Sequence, residues 1–128
     1  MAESKCRILY VDDHEDSAEM FRLLVASPAY EVEIAHSIAE AISRAKTESF
    51  DLFVLDKRLP DGSGTDLCRR LNEISSGVPC IFYTGDAYEI HRQEAMAAGA
   101  TAYVPKPDIE ELIDTVQKLL SNSECAAA

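Results

Sequence analysis

Two rhythms of apolar and polar positions alternate along this chain. Short unbroken apolar runs occur at Ile8-Leu9-Tyr10-Val11, Leu52-Phe53-Val54-Leu55, Cys80-Ile81-Phe82-Tyr83 and Ala102-Tyr103-Val104. Runs of this length, bounded by turn residues, predict buried strands. Glu31 to Ala35 alternates instead, with Val32 and Ile34 on one face. That pattern predicts an edge strand with one wetter side.

The stretches between follow helical spacing. The first predicted helix, signalled by Asp16 and Glu19, carries Met20, Phe21, Leu24 and Val25 on one side and closes at Pro28. The second opens on a capping box, Ser37-Ile38-Ala39-Glu40, and continues with Ala41, Ile42 and Ala45. There the Ser oxygen accepts from the third helical N–H while Glu40 reaches back. The third bears Leu67, Leu71 and Ile74 and ends at Gly77 and Pro79. The fourth, Asp86 to Ala98, is stopped by Gly99, and its apolar face is thin: Ile90 and Met96 among alanines. The fifth, capped by Asp108, has the clearest stripe: Ile109, Leu112, Ile113, Val116, Leu119 and Leu120.

Strict alternation of largely apolar strands with helices predicts an α/β fold. Its form is a single doubly wound five-stranded parallel sheet with five helices on both faces. Right-handed crossovers and an edge position for the second strand favour the flavodoxin-like order 2-1-3-4-5.

At 128 residues the chain is one domain, expected over residues 5–121, with 122–128 a disordered tail or cloning remnant. A net charge of -11 argues against nucleic acid or an anionic membrane as a direct partner. No apolar run is long enough to span a bilayer, and Met1 to Lys5 lacks the apolar core of a signal peptide. A cytoplasmic protein is the expectation. Cys6, Cys68, Cys80 and Cys125 form no C-x-x-C pair, which predicts free thiols.

Candidate chemistry sits at the residues that close each strand. In a parallel sheet all carboxyl ends share one rim, and ligands bind there beside the switch point, between strands one and three. Strand one ends on Asp12-Asp13, strand three on Asp56, strand four on Thr84, and strand five on Lys106 within Pro105-Lys106-Pro107. Clustered carboxylates raise one another's pKa values, and a divalent cation relieves this. Hard oxygen ligands suit Mg²⁺. Asp56 between a cation and a lysine has what a carboxylate nucleophile needs toward phosphorus, with Thr84 placed to donate a hydrogen bond to the transferred group.

These residues, with Leu59-Pro60 and Gly64 after Asp56, resemble the receiver domain of the two-component response-regulator family. The resemblance runs from Lys5 to Ser121. It implies Asp56 as phosphoacceptor, with Lys106 and Thr84 assisting, and Thr84 and Tyr103 as switch residues. It implies Mg²⁺ held by Asp13, Asp56 and the backbone carbonyl of Arg58, with Asp12 acting largely through water. It also implies a Lys106-Pro107 peptide bond in cis. The phosphoryl donor would be a histidine kinase or a histidine phosphotransfer protein. The readers would be an output domain or protein and a phosphorylation-dependent second copy, meeting the fourth helix, fifth strand and fifth helix. Such a domain catalyses its own phosphorylation and slow autodephosphorylation without turning over an external substrate. Arg58 and Asp86, at positions that vary in the family, are expected to tune the rates.

Rival readings fit less well. A dehalogenase-type phosphatase needs a second Asp two residues after the nucleophile, where this chain has Arg58. A flavodoxin-like cofactor module would set a phosphate against Asp12, Asp13 and Glu15. A non-phosphorylated docking module would lack a site residue, and none is missing. His14, beside the acidic pair, is read as a solvated loop residue, and His36 and His91 carry no partner pattern.

Overall fold

Side chains that alternate across a strand bury both faces of the sheet at once, which is why four of its five strands read as unbroken apolar runs. In the computed structural model, which describes residues 6–25, 29–85 and 88–121, these strands are β1 (Cys6–Val11), β3 (Leu52–Leu55), β4 (Cys80–Thr84) and β5 (Ala102–Pro105). The alternating segment is β2 (Tyr30–Ala35), an edge strand that is half-buried except at Ala35. All pairs are parallel, and the order is β2-β1-β3-β4-β5, as the sequence predicts.

Helices α2 (Ile38–Thr47), α3 (Gly64–Ile74) and α4 (Glu89–Ala97) cover one face, over Leu9, Val11, Phe53, Leu55, Cys80 and Phe82. Helices α1 (Glu15–Leu24) and α5 (Ile109–Ser121) cover the other, over Ile8, Tyr10, Leu52, Val54, Ile81 and Tyr83. Strands β1, β2 and β3 stop level, with Val11 opposite Ala35 and Leu55, and Leu55 opposite Phe82, while β4 and β5 run two residues further, to Thr84 opposite Pro105. The residues just past these ends therefore share one rim.

Local chemistry departs from the sequence reading in several places. The buried side of α1 is Ala18 and Phe21, followed by Val25, while Met20 and Leu24 are about half exposed. The Phe21 ring stacks on Tyr10 at 4.8 Å, and burying such a ring is worth about 1.5–3 kcal/mol, so it sets the helix's rotation. Helix α4 is likewise turned. Ile90 and Met96 face outward, and the helix is seated through Ala95 and Ala98. Ser37 Oγ accepts from Glu40 N–H at 3.1 Å as expected, but the Glu40 carboxylate reaches His36 N–H at 2.9 Å, one residue beyond the box. Cys68 and Cys80 are buried free thiols, whereas Cys6 is engaged in a disulfide. Pro28, Asp86, Cys125 and the segment 122–128 lie outside the described residues.

Between β3 and α3 the turn-rich segment forms a short antiparallel ribbon, Arg58–Leu59 against Gly62–Ser63. Asp61 at its tip accepts from Ile38 N–H (2.8 Å) and Ala39 N–H (3.0 Å), closing the start of α2. Gly64 donates its N–H to the Lys57 carbonyl at 2.7 Å, and a Cβ there would collide with the backbone carbonyl of Asp56. A glycine is required for that approach.

Candidate functional site

Each strand of the rim delivers a polar group where its ladder ends. Asp12 and Asp56 are carried there by backbone bonds that continue the sheet, Asp12 N–H to Ala35 O at 3.1 Å and Asp56 N–H to Val11 O at 3.0 Å. Lys106 N–H donates to Thr84 O at 2.8 Å, which brings the end of β5 level with the end of β4. The Lys106-Pro107 peptide bond is cis.

The side chains converge. Lys106 Nζ lies 2.6 Å from Asp12 Oδ2 and 3.2 Å from Asp56 Oδ2, so one ammonium bridges two carboxylates that are 1% and 7% exposed. The ammonium also sits 5.7 Å from the centre of the Tyr83 ring. Burial works against charge on Lys106, but the hydrogen bond from its ammonium to Asp12 and the charges of Asp56 and Asp12 outweigh it and hold its pKa up. Burial likewise works against charge on Asp12, yet the donors Lys106 and His14 pull its pKa down. Burial pushes the Tyr10 phenol, beneath the site, well up.

Asp13, on the exposed side, faces the same space. Asp13, His14, Asp56, Arg58, Thr84, Gly85, Tyr88 and Lys106 line an open crevice of about 500 Å³. The Thr84 side chain is buried at its wall. Arg58 stands exposed at the rim, its N–H 3.5 Å from Asp56 Oδ1. Tyr103 does not line the crevice. It stacks on Phe82, its register partner, with ring centres 6.1 Å apart and planes at 16°, two residues behind Thr84 along the ladder.

Two histidines also belong here. His36 Nδ1 lies 3.2 Å from the Asp12 carbonyl oxygen and so carries the proton, bracing the loop from below. His14 is exposed, as expected of a loop residue, but its ring is engaged. Nδ1 lies 3.0 Å from Asp12 Oδ1 and 3.1 Å from Asp13 Oδ1. The hydrogen bond to Asp12 and the charges of Asp13 and Asp12 raise its pKa. Spacing alone does not reveal this engagement. The signal is that His14 opens α1 directly after the acidic pair.

Ligand atoms of Asp12, Asp13, His14 and Asp56 all lie within 4.8 Å of one another. Such a set, rich in carboxylate oxygen and open to solvent on one side, fits a hydrated divalent cation. Among the described residues no helix is long and apolar enough to cross a membrane.

The chain matches the pattern of the response regulator receiver domain over residues 8–117. It is 32% identical over 121 residues to the transcriptional regulatory protein TrcR of Mycobacterium tuberculosis, covering 94% of this chain and 47% of that protein. It is 33% identical over 119 residues to the response regulator MprA of Mycobacterium avium, covering 92% of this chain and 52% of that protein. The chain thus spans about half the length of the curated relatives it matches. A CheY-like receiver domain from Methanospirillum hungatei superposes with a TM-score of 0.86 at 32% identity, over 92% of this chain and 95% of the other. The HemR receiver domain from Leptospira biflexa superposes with a TM-score of 0.84 at 34% identity, over 94% and 98%. The shared rim, the acidic crevice with its lysine, and a match that takes in nearly the whole fold therefore lead to one assignment: the chain belongs to the response regulator receiver domain family, the phosphoacceptor modules of two-component signalling.

Proposed function

We propose that Asp56 is the phosphoacceptor of this domain, which we take to extend over residues 5–121. The observation that carries the reading is the bridging of Asp12 and Asp56 by Lys106 at the mouth of a crevice that Thr84 also lines. An Asp56 carboxylate oxygen attacks the phosphorus of a phosphohistidine on a histidine kinase or histidine phosphotransfer protein. The P–O bond forms as the P–N bond breaks, and the imidazole leaves with the electron pair and takes up a proton from solvent. Lys106 offers its ammonium to the transferring oxygens, and the Thr84 hydroxyl donates to the group once it has arrived.

Asp13, Asp56 and the Arg58 carbonyl would hold Mg²⁺, with Asp12 acting largely through water, and the ion would supply neutralisation of charge on the phosphoryl oxygens. The chain speeds its own phosphorylation and its slow loss and turns over no external substrate. Arg58, at the rim, tunes that loss together with Asp86. Thr84 and Tyr103 then bias the surface formed by α4, β5 and α5 toward an output partner or a second copy. The setting is cytoplasmic.

Incubation with acetyl phosphate and Mg²⁺ should add one phosphoryl mass, and Asp56→Asn should abolish it. Equal labelling of the Asn variant would overturn the assignment.

A further inference from the structure

The His14 ring holds a place that the acidic pair alone does not explain. Its Nδ1 is 3.0 Å from Asp12 Oδ1 and 3.1 Å from Asp13 Oδ1, and it belongs to the same compact set as the Asp56 carboxylate. Adjacent ligands of an octahedral ion at about 2.1 Å stand about 3.0 Å apart, so the 3.1 Å separation from Asp13 matches an octahedral edge, and the Asp12 oxygen stands close enough to hold a water on the ion. The carboxylates now face an N–H at this point. A dication taking that proton's place would find the ring nitrogen and the Asp13 oxygen already turned toward it, with Asp12 reaching it through water and the ring's other nitrogen left to carry the hydrogen. The ring is 67% exposed on its outer side and can adjust to the ion without disturbing the core.

From this we infer that His14 makes the cation site of this chain a mixed nitrogen–oxygen site that favours first-row transition dications over Mg²⁺. The inference rests on the proposed function, in which Asp13 and Asp56 hold the cation. Mg²⁺ prefers oxygen and gives up water reluctantly, so it gains nothing from an imidazole. It must also displace the ring from the Asp12 and Asp13 oxygens. Mn²⁺ and, more strongly, Ni²⁺ gain a nitrogen ligand, in the order in which imidazole affinity rises across the row. The same residue therefore works against one ion and for the other.

The test is calorimetric titration of the full chain at mildly alkaline pH with Mg²⁺, Mn²⁺ and Ni²⁺, for wild type, His14→Ala and Asp56→Asn. Nitrogen-15 spectra of the His14 ring with diamagnetic Zn²⁺ report ligation directly. His14→Ala should lower the ratio of Ni²⁺ to Mg²⁺ affinity by tenfold or more, with Mg²⁺ affinity equal or higher, and Nδ1 should move to the range of metal-bound imidazole. A smaller change in the ratio, or an unmoved Nδ1, overturns the inference while leaving the Mg²⁺ site intact. If Asp56→Asn leaves Mg²⁺ affinity unchanged, the site reading itself fails, and this inference with it.

Discussion

Lys106 stands closer to Asp12 than to Asp56, with its ammonium 2.6 Å from one carboxylate and 3.2 Å from the other. Its first partner is thus the carboxylate that is almost wholly buried. Removing one member of a buried pair leaves the other charge uncompensated and costs about 3–5 kcal/mol when both are enclosed. Here the crevice admits water on one side, so Lys106→Met is expected to cost about 2–3 kcal/mol in urea unfolding. Adding Asp12→Asn should recover most of the loss. A double variant no more stable than Lys106→Met would mean that Lys106 acts through packing.

Helix α4 should respond when the site is charged. Its buried side chains are Ala95 and, at the C-cap, Ala98, whereas α5 buries Leu112, Val116 and Leu120. Less buried apolar area means weaker docking, at about 25 cal/mol per Å², and weakly docked elements are the ones that move. Lys57, next to the proposed phosphoacceptor, reaches Glu94 of α4 at 3.7 Å and offers a direct tie. With the phosphoryl mimic beryllofluoride, hydrogen exchange should change over Tyr88 to Ala98. Changes confined to the surroundings of Asp56 and Lys106 would dismiss α4 as the switching element.

Asp61 provides a titration that is separate from the site. The Ile38 and Ala39 N–H groups at the start of α2 hold its carboxyl below the ordinary 3.8. A carboxyl depressed on folding lends stability above its unfolded value and loses that contribution as pH falls through the folded value. Asp61→Asn should therefore melt at a lower temperature than wild type at neutral pH, and the gap should close as pH drops well below 3.8. A gap that stays constant in thermal melts across that range would show that the charge is not what α2 uses.

Gly99 ends α4 at φ +110°, and a Cβ there would run into the Asn72 side chain, whose Nδ2 donates to Ala98 O at 3.2 Å. A left-handed backbone costs a non-glycine residue about 1–2 kcal/mol, so Gly99→Ala should lose at least that in chemical denaturation. Asn72→Ala should relieve only the collision, leaving the backbone penalty. Full rescue by Asn72→Ala would place the whole cost in the side chain.

The sequence made the sheet legible because strands buried on both faces appear as apolar runs. For the same reason Asp12, Asp56, Thr84 and Lys106 could be placed on one rim: each stands at the end of such a run. Helix orientation was less legible. Counting apolar residues puts Met20 and Leu24 with Phe21, but the rotation of α1 is decided by which groups reach Tyr10, and Phe21 does. In α4, Ile90 and Met96 outrank alanine on any hydropathy scale, yet the neighbouring β5 and α3 leave room for methyl groups there. His14 and Asp61 were missed as partners because their contacts depend on loop shape, which no period encodes.

Gly64 has a consequence for anyone who would transplant this site. It offers no functional group, and its contribution is room for the Asp56 carbonyl. A graft that copied the acidic residues, the hydroxyl and the lysine onto another parallel sheet would carry every reactive atom and still misplace the central carboxylate if any side chain stood at this position. The minimal portable unit is therefore defined as much by an enforced vacancy as by the groups around it.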